Sequence, residues 1–141
     1  MTTKDGWDNT PGTQRKDKRY LARWKAALVF NNGANKPTYQ TLTHDLSHTG
    51  VSVQYHSEEK VHTVLMVLLS PPPINGENQK IIRLKAEVRS CIPFRGGFRL
   101  GMSFLPGAEF DQLPALIEMN VTSDGMLASH PEADEFPTLN F

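Results

Sequence analysis

From Ala22 to Phe104 apolar and polar positions alternate, the period of two that half-buried β-strands require. Ala22, Trp24, Ala26, Leu28 and Phe30 fall on one face, with Arg23 and Lys25 on the other. Asn31-Asn32-Gly33 then supplies turn chemistry. A second strand runs from Tyr39 to His44, rich in Thr and aromatic character. The polar stretch Asp45–Gly50 interrupts it before Val51, Val53 and Tyr55 resume the alternation. Val61 to Leu69 is a mostly apolar strand that stops at Pro71-Pro72-Pro73, where amide donors are missing. Ile82, Leu84, Ala86, Val88, Ser90, Ile92 and Phe94 form one face of a long strand, and Arg83, Lys85, Glu87, Arg89 and Cys91 the other. Arg95-Gly96-Gly97 turns it into Phe98, Leu100, Met102 and Phe104, a hairpin.

After Pro106 the period changes. Phe110, Leu113, Leu116, Ile117 and Asn120 or Val121 have helical spacing over about Glu109–Asn120, with Pro114 splitting the segment into a short turn and a helix. Five or six short strands and one terminal helix predict a mainly β fold: a small barrel, or a curled sheet closed by the helix. So few strands leave an interior filled by side chains, so a ligand belongs on the outside or the rim.

Composition sharpens this picture. The 141 residues suffice for one domain, and the 38% hydrophobic content fits a compact middle with frayed ends. Residues 1–13 lack periodicity and read as a disordered leader, and residues 122–141 as an acidic, flexible tail. Net charge is zero, yet residues 1–25 carry seven basic against three acidic side chains, while 107–141 carry seven acidic and no Lys or Arg. A basic arm that meets an anion follows, whereas overall neutrality disfavours duplex nucleic acid as partner. The single cysteine excludes an internal disulfide and a CxxC zinc site. No secretory h-region and no membrane-length apolar run are evident, so the expectation is a cytoplasmic protein that inserts in no membrane.

Two constellations carry candidate chemistry. Arg15 and Arg19 lie four apart before the first strand. Each guanidinium is a rigid fork of donors suited to phosphate oxygens or to the O6/N7 edge of guanine. Asp45-Leu46-Ser47-His48-Thr49-Gly50 is the second. Asp45 is an acceptor matched to the N1–H and N2–H₂ donors of guanine, Ser47 donates or accepts, and Gly50 permits a positive φ or close approach of a ligand. In isolation each has a plainer reading: a solvated basic arm, and a turn satisfying its own backbone.

Together, Arg15-x3-Arg19 and Asp45-x-Ser47-x2-Gly50, separated by the 25 residues Tyr20–His44, resemble the PilZ domain family, whose signature is RxxxR followed by (D/N)xSxxG. Leu100-Gly101-Met102-Ser103-Phe104 resembles that family's late strand, and the likeness covers residues 14–121. The resemblance implies a six-stranded antiparallel β-barrel with a C-terminal α-helix, and a bacterial receptor for cyclic di-GMP, a ligand rather than a cofactor. It further implies that Arg15 and Arg19 contact guanine edges and phosphates, that Asp45 and Ser47 bond the ligand from the barrel, and that Gly50 makes room for it. Gln14 and Lys16 flank the first arginine, where many members carry another Arg, and are added as contacts. An effector protein is implied as partner, in control of motility, pili or exopolysaccharide.

Other features weigh less. His44, His48, His56 and His62 offer no third metal ligand at recognisable spacing, and Cys91 has no placed base, so no metal site and no catalytic thiol are predicted. Ser47 has no GxSxG elbow, and neither a Walker loop nor GxGxxG occurs, so the chain does not read as an enzyme. Arg83, Lys85 and Arg89 form a solvated strand face or an extension of the ligand surface. The alternatives are a PilZ-like protein–protein adaptor that binds no nucleotide, and a small barrel binding single-stranded nucleic acid. The second wants aromatics on a wet face, and here most fall on the buried set.

Overall fold

The alternating segments do become strands, and the ring they form follows from how each is paired. The computed structural model describes residues 18–30, 38–73, 80–107 and 109–130. Seven strands precede the helical segment: β1 (Tyr20–Leu21), β2 (Lys25–Phe30), β3 (Tyr39–Leu46), β4 (Gly50–Tyr55), β5 (Val64–Ser70), β6 (Ile82–Phe94) and β7 (Gly97–Phe104). The sheet order is β1-β3-β2-β5-β6-β7-β4, and β4 returns to pair with β3. All pairings are antiparallel, so β2 to β7 make a closed six-stranded barrel and β1 is a short addition on β3. Closure leaves no long unpaired edge, the usual liability of a β-sheet.

Inward positions build one core. Trp24, Leu28, Leu46, Val53, Leu65, Val67, Leu69, Leu84, Val88 and Leu100 are fully buried, each worth roughly 1.5–3 kcal/mol of apolar transfer for a side chain of Val or Leu size. A 3₁₀ turn, Phe110–Gln112, runs directly into helix α1 (Leu113–Met119), which adds Leu113, Leu116 and Ile117 to the same core. Pro114 lies in the first helical turn, where its missing N–H costs nothing, so the proline starts the helix rather than breaking it.

Three departures from simple alternation matter for function. The first strand does not run unbroken from Ala22. Residues 22–24 leave the ladder, and the Thr43 hydroxyl fills the break: it donates to the Ala22 carbonyl and accepts from Trp24 N–H at 2.9 Å. Second, β3 continues through Asp45 and Leu46, because a register shift between Thr43 and Asp45 lets these residues pair with β1 on one edge and β4 on the other. Third, β6 shifts register between Val88 and Ser90. A bulge turns the following side chains over. Ile92 is therefore exposed and Cys91 packs against the core, the reverse of the uninterrupted alternation. The strand expected from Val61 begins at Val64, since Val61 and His62 form a turn in which His62 adopts φ 74°.

Past the helix the polar pattern assigns residues 122–130 to the tail, yet they lie against the barrel. Val121 bridges to Leu127, the Trp24 indole donates to the Ala128 carbonyl at 2.9 Å, and His130 is buried with Nε2 3.0 Å from the Ser70 carbonyl. A buried indole N–H needs an acceptor, and this segment supplies one. No helix among the described residues is long and apolar enough to cross a membrane.

Candidate functional site

The site is assembled where β1, β3, β4, β6 and β7 present outward side chains to one groove. Antiparallel pairing sets Asp45 opposite Ser52, Ser52 opposite Gly101, and Gly101 opposite Ser90, so the row crosses four neighbouring strands. The groove above it encloses about 400 Å³. Arg19, Asp45, Ser52, Arg89, Arg99 and Gly101 are among its lining residues. That volume lies in the range of small-molecule sites.

Arg19 reaches Asp45 because β1 pairs with the distal end of β3, Leu21 facing Asp45. The guanidinium Nη1 donates to Asp45 Oδ1 at 3.1 Å. Arg19's side chain is 48% exposed and Asp45's 15%, so the pair sits at the lip rather than in the core. An exposed pair of this kind is weak and exchangeable.

Ser47 opens the turn between β3 and β4. It is 2% exposed, and its hydroxyl accepts from the backbone N–H groups of Thr49 and Gly50, both at 3.1 Å. Ser47 N–H in turn donates to the Gly50 carbonyl at 2.9 Å. The serine thus ties the β3–β4 turn, and it is not among the groove's lining residues. Gly50 does line the groove, but its φ is not positive and its need for glycine is structural. A Cβ there would lie 2.5 Å from the Met102 carbonyl oxygen, so the missing side chain lets β7 close on β4.

Two arginines that the motif pattern does not assign complete the groove. Arg89 arrives through the β6 bulge, which sets both Arg89 and Ser90 on the outer surface. Its Nη1 is 3.6 Å from Glu87 Oε1, and Glu87 Oε2 also holds His62 Nδ1 at 2.6 Å. Arg99 alternates outward between Phe98 and Leu100 and lies 5.1 Å over the Phe94 ring. No carboxylate pairs with it among the described residues. Its signal in the sequence was its outward phase with Gly101, two positions on. Three guanidiniums line the groove; Asp45 faces Arg19 and Glu87 faces Arg89 from outside the lining, so the uncompensated positive charge sits at Arg99. Beside it, burial together with the positive charge of Arg99 holds His44 below the usual histidine range. That imidazole is therefore held toward the neutral form.

Gln14, Arg15 and Lys16 lie outside the described residues, so of the predicted contacts the structure brings together Arg19, Asp45 and Gly50 at the groove, with Ser47 beneath. Among the described residues no three His, Cys, Asp or Glu side chains are grouped to hold a metal.

Comparison with known proteins fits this geometry. No curated protein matches the chain. The inhibitor of motility MotI/DgrA from Bacillus subtilis superposes with a TM-score of 0.61 at 18% identity, over 76% of this chain and 49% of that one. This chain thus spans about half of MotI. The PilZ domain of YcgR from Escherichia coli, solved with c-di-GMP, superposes with a TM-score of 0.54 at 16% identity, over 76% of this chain and 91% of that domain. The PilZ domain family matches residues 13–118, from the basic arm through the closed barrel to the helix. With the barrel, the terminal helix and that match in agreement, the chain belongs to the PilZ domain family.

Proposed function

We propose that the chain is a receptor for cyclic di-GMP that signals to a protein partner. PilZ domains are ligand-binding and adaptor modules rather than catalysts. The observation that carries the reading is the groove itself: three guanidiniums and one carboxylate around about 400 Å³, at the end of β3 that bears the DxSxxG residues. Three guanidinium forks, with Arg99 facing no carboxylate among the described residues, suit a ligand with two phosphodiesters. The YcgR neighbour, solved with c-di-GMP, supports the same ligand class.

In this reading Arg19 exchanges partners. It leaves Asp45 for a phosphate oxygen or the guanine O6/N7 edge, and Asp45 accepts instead from guanine N1–H and N2–H₂. Arg15, flanked by Gln14 and Lys16, adds a second fork from the basic arm. Ser47 acts through the turn it ties, and Gly50 through the strand closure it permits. Arg89 and Arg99 hold phosphate from the opposite wall. Reorganisation of residues 14–19 then creates or hides a surface for the effector protein, with motility, pilus or exopolysaccharide control as its output.

The test is calorimetric titration of the purified protein with cyclic di-GMP, with GTP and cyclic GMP as controls. Saturable binding of cyclic di-GMP alone is expected. Absence of binding sinks the receptor reading and favours an adaptor that uses the same fold without nucleotide.

A further inference from the structure

Among the described residues three buried side-chain polar atoms find no hydrogen-bond partner: Thr41 Oγ1, Ser52 Oγ and Asn120 Oδ1. Of these residues only Ser52 lines the arginine groove. It is 5% exposed, lies on the outward face of β4, and is the direct cross-strand partner of Asp45. Directly opposite residues of an antiparallel pair share a face, with their Cβ atoms roughly 4.5–5.5 Å apart. An unsatisfied buried hydroxyl is uncommon in native structures and calls for an explanation. Packing does not supply one, since alanine would fill the position without carrying a polar atom.

We infer that Ser52 is a base-reading residue of the groove, and that Asp45 and Ser52 together read the Watson–Crick edge of guanine. This rests on the cyclic di-GMP reading above and names how that site tells guanine from adenine. Guanine presents O6, N1–H and N2–H₂ in a row: one acceptor and two donors. Asp45 offers an acceptor pair for the two donors, and the neighbouring hydroxyl offers the O–H that O6 requires. Adenine presents a donor at N6 and an acceptor at N1, so its edge opposes the carboxylate with a lone pair. Asp45 is held by Arg19 at 3.1 Å, while Ser52 stands unpaired beside it. Departure of Arg19 to the ligand frees the carboxylate beside that hydroxyl. Hydroxyl and carboxylate then gain partners from one base.

The experiment measures the affinity of the full chain and of Ser52→Ala for cyclic di-GMP and cyclic di-AMP. Wild type is expected to prefer the guanine dinucleotide. Ser52→Ala is expected to weaken cyclic di-GMP binding by about five- to twentyfold, the worth of roughly one hydrogen bond, and to leave cyclic di-AMP binding unchanged, so that selectivity narrows. Its thermal midpoint should stay level or rise, because a buried unpaired oxygen is removed. Unchanged cyclic di-GMP affinity, or an equal loss for both nucleotides, overturns the inference while leaving the receptor reading intact. Failure of wild type to bind cyclic di-GMP removes the receptor reading instead.

Discussion

Individual side chains decide what the groove can hold. Arg19 is the described half of the arginine pair, and its guanidinium donates to Asp45. Removing it deletes a fork of charge-assisted donors, so Arg19→Ala should lower cyclic di-GMP affinity about tenfold or more by calorimetry. The barrel should keep its thermal midpoint, because this side chain is half exposed at the lip of the groove. His44 gives a second readout. Burial and the nearby Arg99 charge disfavour its imidazolium in the folded state, while the unfolded chain accepts the proton at the ordinary histidine value. The associated stability is therefore complete above about pH 6.5 and declines as pH falls through that value toward the lower folded one. Urea midpoints at pH 7.5 and 5.5 should differ more for wild type than for His44→Gln. Equal differences would remove His44 from the account.

Elements explain why those side chains meet. The break at residues 22–24 redirects the chain from β2 to β1, and β1 brings Arg19 alongside Asp45. Thr43 holds that break with one hydroxyl serving two backbone groups. Thr43→Val keeps the shape but strands a buried N–H and a carbonyl, at a cost of about 1–3 kcal/mol per unpaired group, readable as a lower denaturation midpoint. Cyclic di-GMP affinity should fall with it, since the seat of Arg19 loosens. The legibility of the sequence follows the same division. Alternation from Lys25 to Phe30 and from Val51 to Tyr55 read as strands because nothing interrupts the period. The bulges at Thr43/Asp45 and Val88/Ser90 carry no compositional mark, so the phase change that exposes Ile92 and buries much of Cys91 was invisible. Arg19, Asp45, Ser47 and Gly50 were legible as a spaced motif. Ser47's two amide bonds are local and match the plainer reading of a turn satisfying its own backbone. The room that Gly50 must leave for Met102, by contrast, exists only once β4 and β7 are paired. Arg89 and Arg99 meet Asp45 only by closure of the ring, and no local pattern encodes that.

At the scale of the molecule, the groove face and the helical end share one core. β3 runs through the middle: it carries Asp45 and holds Trp24 through Thr43, and Trp24 in turn anchors the 120–130 segment through Ala128. On the proposed reading, cyclic di-GMP draws residues 14–19 over the groove. Trypsin cleavage after Arg15, Lys16, Lys18 and Arg19 should therefore slow at saturating cyclic di-GMP. An unchanged digestion pattern would argue against arm closure. The Arg19–Asp45 contact has a last consequence. At the mouth a stray chloride or inorganic phosphate must displace Asp45 from Arg19, so a simple anion gains less there than beside Arg99. A visitor that satisfies the Arg19 cation and the Asp45 anion together loses nothing by parting them.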